Sequence, residues 1–323
     1  VTVTIDVSAP VTWADTIRID TPTYSISMSK DAIAAVAADG PLVITVEAAG
    51  GGTAVTSRAI GLGLVAAVTD SASYKVEVNK ELSENFKVSF PPASGDTDYQ
   101  AIVKEDGTAV GGKYNPANGR LETKINSGGT YTVKQNEKSF SDITAKTAEM
   151  QQAIKILASK GIINGTSETA FSPDGSITRA EIAALVVRTL SKLDANANGG
   201  FTDVVSADWF YGAVGSAKRH GIVNCVTDTT FDPRSTIRKD AIVAICARTL
   251  SGGMNYTPIG NPAGYLAQYS DRTSIPEWAE GEVALATREN LVVRSTNGAF
   301  SAATTMTRGD AAVILYRMFM KIW

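Results

Sequence analysis

His220, Cys225 and Cys246 are the only imidazole and thiols in the chain. One imidazole excludes zinc sites built on several histidines and HExxH hydrolysis, and any Ser-His-Asp arrangement would depend on it alone. His220 stands before Gly221 at the end of a helical pattern, a place that reads as solvent-facing or as a cap for helix carbonyls. Two thiols are too few for a disulfide framework, and they read either as buried free thiols or as one bridge. A different chemistry is written in Ile177-Thr-Arg-Ala-Glu181 and its counterparts Ile237-Arg-Lys-Asp-Ala241 and Met306-Thr-Arg-Gly-Asp310. Thr178 and Glu181 spell a capping box, which explains both without a ligand. Arg179 and Arg308 have no such explanation, because the first helical position makes no demand for arginine. A guanidinium fork beside the N–H groups of a helix start suits an anion.

Those residues must be held by repeated elements. Gly161-Ile-Ile, Phe171-Ser-Pro173 and Arg188-Thr-Leu190 recur 60 residues on as Gly221-Ile-Val, Phe231-Asp-Pro233 and Arg248-Thr-Leu250. Phe231, Ile237 and Arg248 recur 69 residues further at Phe300, Met306 and Arg317. A Gly-, Pro- and Asn-rich linker over residues 251–268 accounts for the longer second step. Three copies of one unit must pack on one another to bury a core. Each copy reads as helix, loop, helix. Ala153, Ile154 and Leu157 mark the first helix of copy one, which Gly161 ends, and Ile182, Leu185, Val186 and Leu190 mark the second. Ile242, Ile245, Cys246 and Leu250 take the same places in copy two, and Ala311, Ile314, Leu315 and Phe319 in copy three. These stripes read as core.

The first part of the chain has the period of strands. Residues 1–7 alternate strictly, as do Leu42–Glu47, Tyr74–Val78 and Phe86–Phe90. Asp106-Gly107 predicts a tight hairpin turn. One short helix is expected after Ser29, over residues 31–38 and closed by Gly40. The expected fold is multidomain α+β: a β-sandwich-like domain, or open barrel, with one helix over residues 1–137, then all-α repeats over 138–198, 199–260 and 261–323. The β-rich part offers no ligand cluster and reads as an adaptor.

Over 323 residues, 44% are hydrophobic and 20% charged, enough for packed cores. A net charge of −3 argues against nucleic acid as the main partner, which needs a basic face. No uninterrupted apolar run is long enough to span a bilayer, so no membrane insertion is expected. The chain starts at Val1 without a basic or apolar leader and reads as a processed mature protein or a cut fragment, with any export signal lost from view.

Three landmarks recur in order: Phe140-Ser-Asp142, Phe201-Thr-Asp203 and Tyr269-Ser-Asp271 at the head of each copy; Gly161-Ile-Ile-Asn-Gly165 after the first helix; and Thr-Arg-Ala-Glu opening the second. This combination closely resembles the surface-layer homology (SLH) domain of bacterial cell-envelope proteins, in three tandem copies over residues 140–323. The preceding β-rich module is similar, more diffusely, to segments that precede such repeats in clostridial-type surface proteins. The resemblance implies a pseudo-threefold, three-pronged helical assembly. It also implies binding of secondary cell-wall polysaccharide, often bearing pyruvate ketals on N-acetylmannosamine, in grooves between repeats. Carried over by position, the glycan-binding set is Arg179, Lys239 and Arg308; Asp142, Asp203 and Asp271; and Trp209 and Trp278, with Glu149 at the aromatic place of copy one.

A ketal carboxylate matches a guanidinium fork, and an indole gives a sugar ring a flat apolar face. The aspartates could equally cap the loops they precede, and the tryptophans could be packed between prongs. Lys239 keeps the charge without the fork, and copy two also loses the threonine cap and the terminal acid. Copy three keeps Arg308, Asp271 and Trp278 together, so the expected order of affinity is copy three, one, two. Arg308-Gly-Asp310 spells a cell-adhesion tripeptide, but its place at a helix start favours the SLH explanation. The expected function is non-covalent, non-catalytic anchoring at the extracellular cell surface, with cell-wall polysaccharide as partner and no cofactor or metal. The alternative is a self-assembling subunit of an S-layer or filament, with homo-oligomer contacts through a β-edge. A glycan hydrolase is disfavoured because the 137 residues outside the repeats show no convincing acid pair.

Overall fold

Where apolar and polar residues alternate, one face of an extended chain is greasy and two such faces close on each other. The computed structural model describes residues 2–5, 16–20, 24–29, 42–49, 73–78, 86–125, 127–254, 256–292 and 297–322. It divides into two compact units, residues 1–138 with 158–161, and residues 139–157 with 162–323.

In the first unit the described strands are β1 (Thr2–Ile5), β2 (Thr16–Asp20), β3 (Ser25–Ser29), β4 (Leu42–Ala49), β5 (Ser73–Val78), β6 (Phe86–Phe90), β7 (Gln100–Lys104), β8 (Lys113–Asn115), β9 (Arg120–Ile125) and β10 (Gly129–Gln135). They form two sheets of order β1-β4-β5-β10-β7 and β2-β3-β6-β9-β8, paired antiparallel throughout. The alternating side chains of both sheets meet in one core: Tyr74 of β5 stacks on Phe90 of β6 with ring centroids 4.3 Å apart. Ile102, Leu121 and Tyr131 are buried around them. The predicted turn forms: Gly107 takes φ +86° and donates its N–H to the Lys104 carbonyl at 2.9 Å. The helix expected after Ser29 falls on residues 30–41, outside the described residues, and Ser29 itself ends β3.

The second unit is helical, with two main helices in each copy: α1 (Ala148–Ser159) and α2 (Arg179–Thr189), α3 (Tyr211–Arg219) and α4 (Lys239–Gly253), α5 (Glu280–Arg288) and α6 (Arg308–Lys321). A single turn, Ala263–Leu266, precedes the Tyr269-Ser-Asp271 head of the third copy. Past the first helix of each copy stands a left-handed residue that turns the chain: Gly161, Gly221 and, in copy three, Asn290, at φ +72°, +65° and +58°. The expected stripes are buried, with one exception. Leu185 is only half-buried, whereas its counterparts Ile245 and Ile314 are buried. Leu185 faces a pocket instead of the core.

The copies hand backbone hydrogen bonds to one another in a closed order. At the start of α2, Arg179 and Ala180 donate to the carbonyls of Ser235 and Pro233 in copy two. At the start of α4, Lys239 and Asp240 donate to Thr304 and Ala302 in copy three. At the start of α6, Arg308 and Gly309 donate to Gly175 and Pro173 in copy one. The first orphan N–H groups of each second helix are thus satisfied by the neighbour's loop. This corrects one expectation: the amides beside Arg179 and Arg308 are already taken by carbonyls, so recognition of an anion there falls to side chains.

Candidate functional site

The loop after each first helix carries an aromatic residue and then a residue in the left-handed region: Phe171-Ser172, Phe231-Asp232 and Phe300-Ser301, with φ +58°, +58° and +60° at the second. That bend turns two successive N–H groups to one side, a ready cradle for a carboxylate. The aspartate at the head of the same copy fills it. Asp142 accepts from Phe171 N at 3.0 Å and Ser172 N at 2.7 Å. Asp203 accepts from Phe231 N and Asp232 N at 2.9 and 2.7 Å, and Asp271 from Phe300 N and Ser301 N at 2.7 and 2.8 Å. The three acids therefore hold the loops.

Burial pushes the Asp142 and Asp271 carboxyls up, but the backbone N–H groups outweigh it and hold both below the usual carboxylate value. A folded-state pKa below the unfolded one means stability that is complete above the unfolded value and lost as pH falls through the folded one. Asp271→Ala is expected to cost about 1–2 kcal/mol at neutral pH, as two backbone donors lose their acceptor. Its stability should also fall less than the parent's between about pH 5 and pH 3, read by urea unfolding at each pH.

Above each loop aromatic sits the basic residue of the preceding copy in the closed order. Arg308 places its guanidinium carbon 4.7 Å from the Phe171 ring centroid. Its Nε donates to the Phe171 carbonyl at 3.1 Å and its Nη2 to that of Asn164 at 2.9 Å. Arg179 repeats this on Phe231 at 4.8 Å, with Nε to the Phe231 carbonyl at 2.9 Å. Burial lowers the Arg179 pKa, opposed by the charges of Asp232 and Asp203. Lys239 holds its ammonium 5.1 Å from the Phe300 ring, and burial lowers its pKa against Asp310 and Asp271.

Trp209 and Trp278 are 64% and 53% exposed, so neither is packed as core between helices. A pocket of about 180 Å³ brings Arg308 of copy three together with Asn164, Phe171 and Arg188 of copy one and Trp209 of copy two. Completeness therefore has to be counted across copies, and the grouping of Arg308 with Asp271 and Trp278 as one set is corrected. The counterparts by repeat position are Arg179 over Phe231, and Arg248, which lies 6.0 Å from the Trp278 indole and donates to Glu282 at 2.8 Å. In the third set Glu149, at the aromatic place, binds Arg317 through two bonds of 2.7 and 2.9 Å. Arg188, Arg248 and Arg317 are legible as a recurrence at the ends of the second helices, but nothing in the sequence distinguishes them from surface charge.

The remaining motifs settle locally. The capping box of α2 forms, with the Glu181 carboxylate accepting from Thr178 N at 2.7 Å and the Thr178 hydroxyl accepting from Glu181 N at 3.3 Å. In α4, where threonine is absent, buried Asp240 pairs instead with Arg238 at 2.5 Å. Cys225 and Cys246 are free thiols, and burial pushes Cys246 up to about 12. His220 is exposed and follows the last turn of α3, with Nδ1 3.4 Å from Lys192 Nζ. No helix among the described residues is long and apolar enough to cross a membrane.

Comparison with known proteins gives these features a common source. A family model described as the S-layer homology domain matches residues 139–183, 200–240 and 268–312. An amylopullulanase of Thermoanaerobacterium thermosulfurigenes is 30% identical over 212 residues, which are 66% of this chain and 11% of that protein. The surface-layer 125 kDa protein of Lysinibacillus sphaericus is 26% identical over 183 residues, 55% of this chain and 15% of its own length. A surface layer protein of Brevibacillus choshinensis is 36% identical over 108 residues, 32% of this chain and 10% of its own. The chain thus spans a small part of each of these relatives. Aromatic-x-Asp heads (Phe, Phe and Tyr), bent aromatic loops and basic helix starts recur in the three matched segments, and residues 139–312 carry three tandem S-layer homology repeats.

Proposed function

We propose that the SLH triplet anchors its protein non-covalently to the bacterial cell wall by binding an anionic, pyruvylated secondary cell-wall polysaccharide, with no catalytic step. Three SLH domains and surface-layer relatives support an extracellular location at the cell surface. In this reading the three copies form a pseudo-threefold, three-pronged assembly, supported by the closed order of backbone hydrogen bonds from copy one to two, two to three and three to one. The observation that carries the binding is the pocket joining an arginine braced over Phe171 to an exposed indole from another copy. An indole face stacks on a sugar ring, and the remaining N–H groups of Arg308 donate to glycan oxygens beside it. Arg179 with Trp278 forms a second, weaker site, and Lys239 beside the Glu149–Arg317 pair the weakest. Asp142, Asp203 and Asp271 set the loop under each basic side chain and accept from sugar hydroxyls at its margin. Residues 1–137 link this anchor to whatever is displayed.

Co-sedimentation with purified wall sacculi, before and after acid extraction of the polysaccharide, tests this. Binding should disappear with the polysaccharide. Binding to neither preparation, or equal binding to both, would overturn it, and concentration-dependent sheets or filaments without glycan would favour self-assembly instead.

A further inference from the structure

Three arginines occupy one structural position, and their electrostatic states differ. Arg188, Arg248 and Arg317 stand nine residues after the basic residue that opens their helices. Arg248 is paired with Glu282 of α5 in the next copy, and Arg317 with Glu149 of α1. The corresponding positions in copy two are Ala213 for Glu282 and Trp209 for Glu149, so neither carboxylate is available to Arg188. Arg188 is exposed, lines the pocket, and makes no side-chain hydrogen bond or ion pair among the described residues. Arg308, by contrast, commits Nε and Nη2 to the carbonyls of Phe171 and Asn164.

We propose that Arg188 is the group that reads the negative charge of the glycan, and that its pocket is the acid-selective one of the three sets. This rests on the function proposed above. An arginine already chelated by a carboxylate offers an incoming acid only an exchange of one anion for another. An unpaired arginine in a pocket offers a new charge-assisted pair. The pocket wall also fixes orientation. Glu181, Leu185 and Arg188 lie along one face of α2, and the ends are about 10 Å apart at the rise of a helix. Glu181 is held by the capping box and stays as a carboxylate-bearing wall, so a second acid at that end is repelled. The fitting ligand carries its acid at the Arg188 end and hydroxyls at the Glu181 end, with Trp209 under a sugar ring.

The test is titration calorimetry of the full chain with two probes: acidic wall polysaccharide, and the same material after mild acid has removed its pyruvate ketals. The parent should prefer the acidic form by about 10- to 100-fold, the worth of one charge-assisted pair. Arg188→Gln should bring that ratio to roughly threefold or less without moving Tm, and Arg188→Lys should recover part of it. Arg248→Gln and Arg317→Gln should leave the ratio in place, and Glu282→Gln should add a second acid-selective site by releasing Arg248. A ratio unchanged in Arg188→Gln, or lost equally in Arg248→Gln, would overturn the assignment while parent binding keeps the anchoring function intact. A parent that binds neither probe would overturn both.

Discussion

Trp209→Ala should weaken binding to wall polysaccharide by about 30-fold or more, the scale of a tryptophan at the centre of a binding surface. The indole is 64% exposed and touches Phe210 edge-on at 5.3 Å, so little packing is lost with it. Unfolding free energy should therefore stay within about 0.5 kcal/mol of the parent. Trp278→Ala, in the second set, should cost less than about threefold, because the adjacent Arg248 is already neutralised by Glu282. Sacculus binding isotherms for the two variants at one salt concentration decide this. Equal losses would mean that the two indoles serve equivalent sites and that neutralising the neighbouring arginine has no consequence.

Much of this site is legible in the order of the residues. The 60- and 69-residue recurrences locate the helices, and the capping box of Thr178 and Glu181 forms as spelled. Strand alternation places Tyr74, Phe86 and Phe90 on buried faces because the period of a strand leaves only two faces to choose between. The exchange among copies is not legible in this way. A sequence arranges Arg308, Asp271 and Trp278 as neighbours in one repeat, whereas the fold sets Arg308 over Phe171 in a pocket with Trp209, Asp271 on the Phe300 loop and Trp278 beside Arg248. The reason is the closed hydrogen-bond order: each second helix begins on the next copy's loop, carrying its basic residue across with it. Periodicity is equally blind to Leu185. Its stripe position matches Ile245 and Ile314, and only the pocket beside it leaves it half-buried. The aspartates are ambiguous in sequence for a similar reason, since the cradle they fill depends on a left-handed residue about 30 positions away that is a serine or aspartate and not a glycine.

Phe231→Ala should lower the stability of the helical unit by about 3–5 kcal/mol, the usual cost of emptying a buried aromatic site. Phe231 is fully buried, packs against Phe201 with centroids 5.3 Å apart, and forms the floor under the Arg179 guanidinium. Its backbone is equally engaged: the N–H is held by Asp203 and the carbonyl by Arg179 Nε. A cavity here also loosens the loop whose Pro233 and Ser235 carbonyls cap the start of α2 in copy one. The damage therefore crosses from copy two to copy one, and the closed order makes the copies unfold together. Urea unfolding followed by far-UV circular dichroism and by tryptophan fluorescence should show the two signals shifting together to lower denaturant. A loss under about 1 kcal/mol would mean that the site collapses around the missing ring. Separated transitions would mean that copy two unfolds on its own, and the hydrogen bonds passed between copies would then be too weak to couple them.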